Sequence, residues 1–562
     1  MAHRYNTPKD IEPDEILGDS LNIPGFREEQ FEGRLEKPLS LLAPTLLTLG
    51  FIFLAIIYIG RAGILQIIQG DSYTAIAEAN NLRQIPVFAE RGVIYDRNLV
   101  ELAWNRENKE LGFSLRTYKN IDGLAHIVGY VSEPKRDLSG KFWQTESLGI
   151  DGVEKYYDEL LKGKNGSKLI ETNVQNEIIS ESGVRQAESG KNITLSIDSR
   201  VQEKFYTILA TLSENVGFRG GAGAIMDVTN GELIALVSYP EYSQGDLVSG
   251  DDTRAINRLL IDKRTPFLNR AVSGLYAPGS TIKPIIAFGA LTEKVIDPSK
   301  KILSTGSISV PNPYDPSKPT VFKDWKAHGW VNMREAIAHS SDVYFYEIGG
   351  GFEGQKGIGI LGIERYARLF GFGEKTGIDL PNEQSGVIPN PEWKEKNFNG
   401  EKWLVGNTYH TAIGQYGFQV TPLELLRAIN AIATDGLFVT PHVKKEETNQ
   451  KEFPTTSIGG YVEYYKIIRE GMRQGVLEGT ASGLSTGSVA LAAKTGTAEL
   501  GFAKEYVNSW ATGFFPYENP RYAFVVVMER GPRGNTLGGV YVMRQLLDWM
   551  ALHTPEYLKK TE

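Results

Sequence analysis

The sequence predicts an α+β protein in three successive parts. They are one N-terminal transmembrane helix, an elongated α+β module, and a larger domain whose antiparallel β-sheet is flanked by helices. Three observations carry this. Residues 39–60 form an apolar run without a charged side chain. Hairpin signals stand near both ends of the segment that begins at Asn192. Helical stretches fill the interval, and strands at both ends with helices between them make a sheet covered by helices.

Each element follows in chain order. Residues 1–38 are polar, with Pro and Gly, and read as a loosely ordered tail. As a helix, residues 39–60 would be roughly 33 Å long, against a hydrocarbon core of about 30 Å. Pro44 and Gly50 are tolerated in a membrane helix. Arg27, Arg34 and Lys37 precede the run and Arg61 follows it, which predicts a cytoplasmic tail and an extracytoplasmic remainder. That tail is too long for the n-region of a cleaved signal peptide, and the Ala75-Ile76-Ala77 triplet lies too far past the run to be its cleavage site. Residues 61–190 mix short apolar runs with turn signals, the pattern of the elongated module. Residues 223–228 and 232–237 read as a β-hairpin closed by the Asn230-Gly231 turn. Residues 509–515 and 521–528 form a second strand pair, and a closing helix is expected over 539–552. The expected parts are therefore a tail (1–38), a span (39–60), a module (61–190) and a large domain (191–562).

Composition excludes several classes of function. A net charge of −8 on 562 residues argues against a nucleic-acid-binding surface. The absence of cysteine excludes disulfides, thiolate zinc sites and a cysteine nucleophile. The seven histidines are scattered, with no HExxH pair, so a metal-dependent hydrolase has no support and no metal or cofactor is expected.

Three short motifs carry chemistry. In Tyr276-Ala-Pro-Gly-Ser280-Thr-Ile-Lys283, Pro278 and Gly279 break the chain and an apolar helical run follows. Ser280 then sits at a helix start with Lys283 one turn on, along the same face. A serine hydroxyl needs a base to take its proton, and a lysine serves only when neutral. Moving an ammonium from about 10.4 to near 7 costs about 4–5 kcal/mol, which burial beside another cation supplies. The helix start also aims backbone N–H groups at an oxyanion formed on Ser280. The second motif is Ser340-Ser341-Asp342, between a helical run and Val-Tyr-Phe-Tyr. The third is Lys494-Thr495-Gly496-Thr497 after a run of small residues. It reads as an inner strand presenting an ammonium, hydroxyls and backbone N–H groups, with Gly496 permitting close approach by a ligand.

Alone, each spacing carries little information. Ser132-Glu-Pro-Lys135 repeats the first and reads as a loop, Ser213-Glu-Asn215 imitates the second, and Lys375-Thr-Gly377 repeats the third inside a turn-rich stretch. The ordered set, each member in its expected local context, is specific: it is the set of penicillin-binding proteins and related β-lactamases.

The chain resembles the class B penicillin-binding proteins along nearly its whole length after the span. Arg91-Gly-Val-Ile-Tyr-Asp-Arg-Asn98, His126-Ile-Val-Gly-Tyr130 and Gly149-Ile-Asp-Gly-Val-Glu154 match their juxtamembrane module. Asn269-Arg-Ala, the Ser280 motif, Thr376-Gly-Ile-Asp-Leu-Pro, Ile413-Gly-Gln and Val420-Thr-Pro-Leu are similar to landmarks of their penicillin-binding domain. The residues around Ser340, with Lys326-Ala-His-Gly-Trp330, look like the elongation type, similar to penicillin-binding protein 2. The division type more often has Asn at the third position of the serine motif.

The resemblance implies a pedestal or dimerisation-like module followed by a serine β-lactamase-like transpeptidase domain. It implies a D,D-transpeptidase that crosslinks peptidoglycan stem peptides in elongation and cell shape and is acylated by β-lactams. Ser280 would attack the carbonyl of the penultimate D-alanine and Lys283 would take its proton. Ser340 would relay a proton to the leaving D-alanine, and Asp342 would position Lys283 or the substrate. Lys494 would supply positive charge, Thr495 and Thr497 would contact the substrate carboxylate, and the N–H groups of Ser280 and Thr497 would form the oxyanion hole. Implied partners are glycan strands derived from lipid II, a membrane glycosyltransferase of the SEDS (shape, elongation, division and sporulation) class, and other proteins of the elongation complex.

Two departures stand out. Tyr416 occupies a place after Ile413-Gly-Gln where the family usually has Gly. Some elongation-type relatives carry Asp, His and Cys zinc ligands upstream of the serine motif; this chain has Asp324 and His328 but no Cys, so no such zinc is expected. Three other readings stay open: a division-type transpeptidase; a D,D-carboxypeptidase or β-lactamase, for which no deacylating Glu is evident; and a penicillin-binding sensor or scaffold, for which the tail is too short to carry an output domain.

Overall fold

A computed structural model describes residues 42–71, 82–138, 140–172, 178–250, 252–312, 315, 317–446, 452–501 and 503–559. The tail at 1–38, the first three residues of the expected span and the triplet at 75–77 lie outside them. Contacts divide the chain into two compact units, residues 1–84 with 169–182, and residues 85–168 with 183–562.

In the first unit, helix α1 (Leu42–Gly63) runs on into a π-helical turn at Ile64–Ile68. Residues 44–68 are long and apolar enough to cross a membrane. The helix and its turn continue past residue 60, where the expected span ends. Gly60 does not end the helix, because a lone Gly costs about 1 kcal/mol. Arg61 does not end it either, because a long basic side chain extends along a helix surface and the sequence beyond it is apolar again.

Strands Leu82–Val87, Gly166–Thr172 and Ile178–Arg185 form a three-stranded sheet with Gly166–Thr172 central. In the second unit, Glu101–Arg106 lies between Ile94–Tyr95 and Leu115–Tyr118, and Ile193–Thr194 adds a parallel edge. Here two of the sequence landmarks meet. The fully buried Glu154 carboxylate receives Arg91 at 2.6 Å and Arg116 at 2.7 Å, so it is neutralised twice where an unpaired charge would be prohibitive.

The rest of the unit is built on a five-stranded antiparallel sheet. Its strands are β1 (Gly220–Asp227), β2 (Leu233–Tyr239), β3 (Ala492–Leu500), β4 (Tyr506–Phe515) and β5 (Tyr522–Pro532), in the order β2-β1-β5-β4-β3. Both faces are covered. Phe524, Val526 and Met528 pack with helices α2 (Ser199–Val216) and α8 (Gly539–His553), whereas Ala523, Val525 and Val527 face the core containing α3 (Lys283–Thr292) and α6 (Pro422–Ala433). A strand buried on both faces reads as a continuous apolar run, as 522–528 does. Helix α3 is buried on every side, as a helix apolar all round must be.

Two expectations about strands need correction. The first hairpin forms, with Ile225 opposite Ala235, but a bulge follows and its connection is five residues long rather than a two-residue Asn-Gly turn. Asp227 closes that loop through its backbone and side chain, binding Glu232, Gly231 and Thr229. Strand β3 is an edge strand, not an inner one. Its small residues answer to a helix packed across it, α7 (Val462–Leu477), and to the turn that bears Ser280.

Candidate active site

The Ser280 turn is a 3₁₀ segment, Gly279–Ile282, that feeds directly into α3. Pro278 fixes its entry, and Thr281 Oγ1 donates back to the Pro278 carbonyl at 2.7 Å. Trp510 Nε1, from β4, holds the preceding Ala277 carbonyl at 3.0 Å. Gly279 takes φ +54°, and a Cβ there would stand 2.9 Å from the Thr497 carbonyl oxygen. Only glycine combines a left-handed backbone with so close an approach. Ser280, half-buried, is thereby set at the edge of β3.

Lys283 opens α3 with its side chain fully buried. Its Nζ donates to Asp342 Oδ1 at 2.6 Å, to the Ser340 carbonyl at 2.8 Å and to Ser340 Oγ at 3.3 Å. The Phe345 ring lies 5.3 Å from that ammonium. Ser340 and Asp342 come from a helix–turn–helix step: Ser340 caps the end of α4 (Met333–His339), and α5 (Asp342–Gly350) begins two residues later, capped by Ser341. Ser340 adopts φ +58°, a conformation that costs a residue with a side chain free energy and is common at functional sites.

The third motif arrives on β3. Lys494 is 1% exposed and donates to the Thr495 carbonyl at 3.0 Å. Burial pushes its ammonium well below the usual value, the Lys283 ammonium adds to the effect and Asp342 opposes it. Lys283 and Asp342 are thus the two opposed charges that act on the buried Lys494. Thr497 is exposed on the strand's outer edge, which has no neighbour in the sheet among the described residues. An edge strand is the kind of backbone to which an extended peptide adds.

Gly496 lies where the strand meets the Ser280 turn. A Cβ there would meet the Pro278 carbonyl at 2.8 Å, Thr281 Cγ2 at 2.8 Å and Trp510 Cβ at 3.3 Å. The missing side chain lets the strand close on the Ser280 turn. Thr495 Oγ1 is 2.7 Å from the Thr480 hydroxyl. Thr480, which no motif announces, also donates its N–H to the Ala338 carbonyl at 3.1 Å, joining the strand to the helix that ends at Ser340.

The imitations fall elsewhere. Ser132 and Lys135 lie on two separate two-residue strands, so the expected loop is short ladder, and nothing puts them on one helical face. Ser213 is inside α2. Thr376 and Gly377 wrap the Glu383 carboxylate, with the Thr376 N–H at 2.6 Å. Tyr416 takes φ +61° itself and packs its ring among Trp393, Phe398 and Trp403. The loop nevertheless keeps its contact with the nucleophile turn, since Gly279 N–H donates to the Gly414 carbonyl at 3.0 Å.

Known proteins were compared with the chain. Residues 221–545 match the penicillin binding protein transpeptidase domain, and residues 113–195 the penicillin-binding protein dimerisation domain. The peptidoglycan D,D-transpeptidase MrdA of Acinetobacter baumannii is 34% identical over 448 residues, which cover 75% of this chain and 64% of that protein. MrdA of Escherichia coli K12 is 27% identical, with 90% of this chain and 93% of that protein covered. The solved complex between penicillin-binding protein 2 (PBP2) and MreC from Helicobacter pylori aligns at a TM-score of 0.69 and 29% identity, covering 84% of this chain and 98% of that one. The transpeptidase match alone spans more than half of the 562 residues, and it contains every residue of the three motifs: the chain belongs to the penicillin-binding protein transpeptidase family.

Proposed function

We propose that this chain is a serine-type peptidoglycan D,D-transpeptidase of the elongation type, acting on D-Ala-D-Ala stem peptides and acylated by β-lactams. The observation that carries the reading is the Lys283 ammonium. It is buried between Ser340 and Asp342 at the foot of the turn that presents Ser280 against β3. The family membership and the D,D-transpeptidase relatives support the same activity.

The roles are those the resemblance implies, and the contacts around Lys283 support them. Ser280 Oγ attacks the carbonyl carbon of the penultimate D-alanine, and its proton passes to the lysine–carboxylate group through Lys283. Lys494, whose own ammonium is disfavoured by burial and by the Lys283 charge, adjoins that group. The oxyanion settles between the N–H groups of Ser280 and Thr497, where loss of one donor typically costs about 10²- to 10³-fold in rate. The C–N bond breaks, and Ser340 Oγ, fed by Lys283, protonates the departing D-alanine amine. The resulting ester is attacked by an amine of a second stem, and Ser280 recovers its proton as the crosslink closes. In a β-lactam the ring amide opens in the same way, but the leaving nitrogen stays tethered to the acyl group. Lys494 and Thr495 with Thr497 receive the substrate's terminal carboxylate.

We divide the chain at its expected boundaries: tail 1–38, span 39–60 as set by composition, pedestal 61–190 and transpeptidase domain 191–562. The flanking Lys and Arg residues support a single-pass protein of the cytoplasmic membrane with its catalytic part outside. The pedestal and the apolar helix are the surfaces we assign to a SEDS-class glycosyltransferase and to elongation-complex proteins; the H. pylori relative forms a complex with MreC.

Labelling with fluorescent penicillin, read by intact mass, tests the assignment. The wild type should take up one acyl group and hold it, and Ser280→Ala should take up none. Labelling that survives the substitution rejects Ser280; repeated turnover of penicillin rejects the transpeptidase in favour of a hydrolase.

A further inference from the structure

Asp324 lies on the connection between the strands Thr320–Lys323 and Gly329–Val331, outside all three motifs. Its side chain has no exposed surface. Oδ2 accepts from Ser341 Oγ at 2.9 Å, from the Val343 N–H at 3.0 Å and from Ser304 Oγ at 3.2 Å. Oδ1 accepts from the Trp325 N–H at 2.8 Å and stands 3.4 Å from His328 Nε2. Ser341 and Val343 flank Asp342, so the carboxylate grips the chain on both sides of the residue that binds Lys283. It also sits at the N-terminus of α5, where a negative charge is favourable.

A second row of contacts backs the same turn. The Trp325 ring meets His328 edge-on at 5.2 Å, and His328 stacks over His339 at 6.4 Å between ring centroids. His339 immediately precedes Ser340. The left-handed Ser340 is thus held from below by Asp324 and from behind by this column of rings.

The zinc carried here by some relatives does not fit these residues. The chain supplies no thiolate. Both Asp324 oxygens already accept hydrogen bonds from N–H and O–H donors, with which a cation bound there would have to compete. Among the described residues no group of three or more His, Asp and Glu is arranged to hold a metal.

We propose that Asp324 is a metal-free positioning residue for the acyl transfer: through Ser341 and the Val343 N–H it fixes the Ser340–Asp342 turn in the conformation that aims Ser340 Oγ and Asp342 at Lys283. A buried carboxylate with this many donors has little freedom, and the strained Ser340 needs such over-determination to persist. Asp324→Asn turns one acceptor oxygen into an NH₂ group facing those donors. It therefore disturbs the turn without removing any group that touches substrate.

The experiment measures acylation of the purified full chain by fluorescent penicillin across a concentration series, separating reversible binding from the acylation rate constant. Asp324→Asn should slow the acylation step by about 10²-fold, the scale of an ångström-level misplacement, with reversible binding unchanged. Ser341→Ala should slow the same step, and the double variant should be no slower than Asp324→Asn alone. Wild type dialysed against a zinc chelator should keep its acylation rate and melting temperature. An Asp324→Asn protein that acylates at the wild-type rate, or that loses only affinity or thermal stability, overturns the proposal. So do multiplicative effects in the double variant, or bound stoichiometric zinc whose removal abolishes acylation. Should Asp324→Asn fail to fold, Ser341→Ala and the chelator measurement decide alone. The inference rests on Ser280 being the acylated residue. Labelling that persists in Ser280→Ala defeats that earlier reading, whereas full-rate labelling of Asp324→Asn defeats only this one.

Discussion

Lys494 shows most directly how a single residue here trades stability for chemistry. The residue is 1% exposed and its ammonium is disfavoured first by burial and then by Lys283. An unfolded chain holds that proton up to about pH 10.4, whereas the folded protein releases it at lower pH. Between the two values the unfolded state binds more protons, so the wild type gains stability as pH rises through that window. Lys494→Met lacks this dependence. The variant is expected to melt above the wild type near pH 7, with an advantage that shrinks as pH approaches 10, and to lose penicillin labelling. Thermal denaturation of both proteins from pH 6 to pH 10 checks this; a difference that is constant or grows with pH would count against the buried-ammonium account. At this scale the sequence was informative about identity and silent about partners. Ser280, Lys283, Ser340, Asp342 and Lys494 each sit in a recognisable local context, whereas Thr480 and the grip of Asp324 on Ser341 are products of tertiary packing that leave no spacing to read.

At the level of elements, the arrangement turns on how closely β3 approaches the 3₁₀ turn at 279–282. The contact is backbone against backbone, and Gly279 and Gly496 make it possible from opposite sides. A methyl at position 496 faces the Pro278 carbonyl, Thr281 and Trp510, none of which is the mobile end of a long side chain. Overpacking of this kind costs about 1–3 kcal/mol, but its larger effect is to move the strand edge away from Ser280. Gly496→Ala should therefore lower the rate of penicillin acylation by about 10²-fold while the protein remains folded at room temperature. Stopped-flow acylation alongside a thermal melt separates the two effects, and a stable Gly496→Ala that acylates normally would show that the approach is not needed. The same elements mark the boundary of what the sequence predicts. Helix α3 and the strand pair β4–β5 were legible because their apolar runs match the burial that the fold gives them. The edge position of β3 was not, because a strand covered by α7 and by a turn has the small, apolar composition of an inner strand. The continuation of α1 past residue 60 was not either, because neither Gly60 nor Arg61 is strong enough to stop a helix.

In the molecule as a whole, the second compact unit joins the residues around 122–130 to the transpeptidase sheet through a loop that leaves β2. Glu241 accepts the Gly123 N–H at 2.6 Å and the Ala125 N–H at 2.9 Å. Tyr242 OH bonds with Asp151 Oδ2 and the Ala125 carbonyl, each at 2.9 Å, and Gln244 reaches the Gly129 carbonyl. From α2, Gln202 donates to the carbonyls of Gly123 and Leu236 at 2.6 and 2.7 Å. These are buried or half-buried polar contacts, which hold only while every partner is in place, so both sets of residues should unfold in one transition. Glu241 also gives that transition a pH dependence of unusual sign. Burial raises its carboxyl to about 7, against the two N–H groups that favour the anion and with Asp122 adding to the rise. A free carboxyl titrates near 4.3, so between about pH 4.3 and pH 7 the folded protein holds a proton that the unfolded chain has lost. The stabilisation is complete below that window and disappears as pH climbs through 7, opposite to the usual behaviour of a salt-bridged carboxylate. Glu241→Ala removes both the clasp and the proton. The variant is expected to melt lower than the wild type at pH 5.5, with the gap narrowing toward pH 8, and to keep penicillin labelling of Ser280, which lies outside this clasp. Differential scanning calorimetry at both pH values reads the effect, and a gap that widens with pH would mean that Glu241 is bound as an ordinary anion and that the clasp draws its strength from charge.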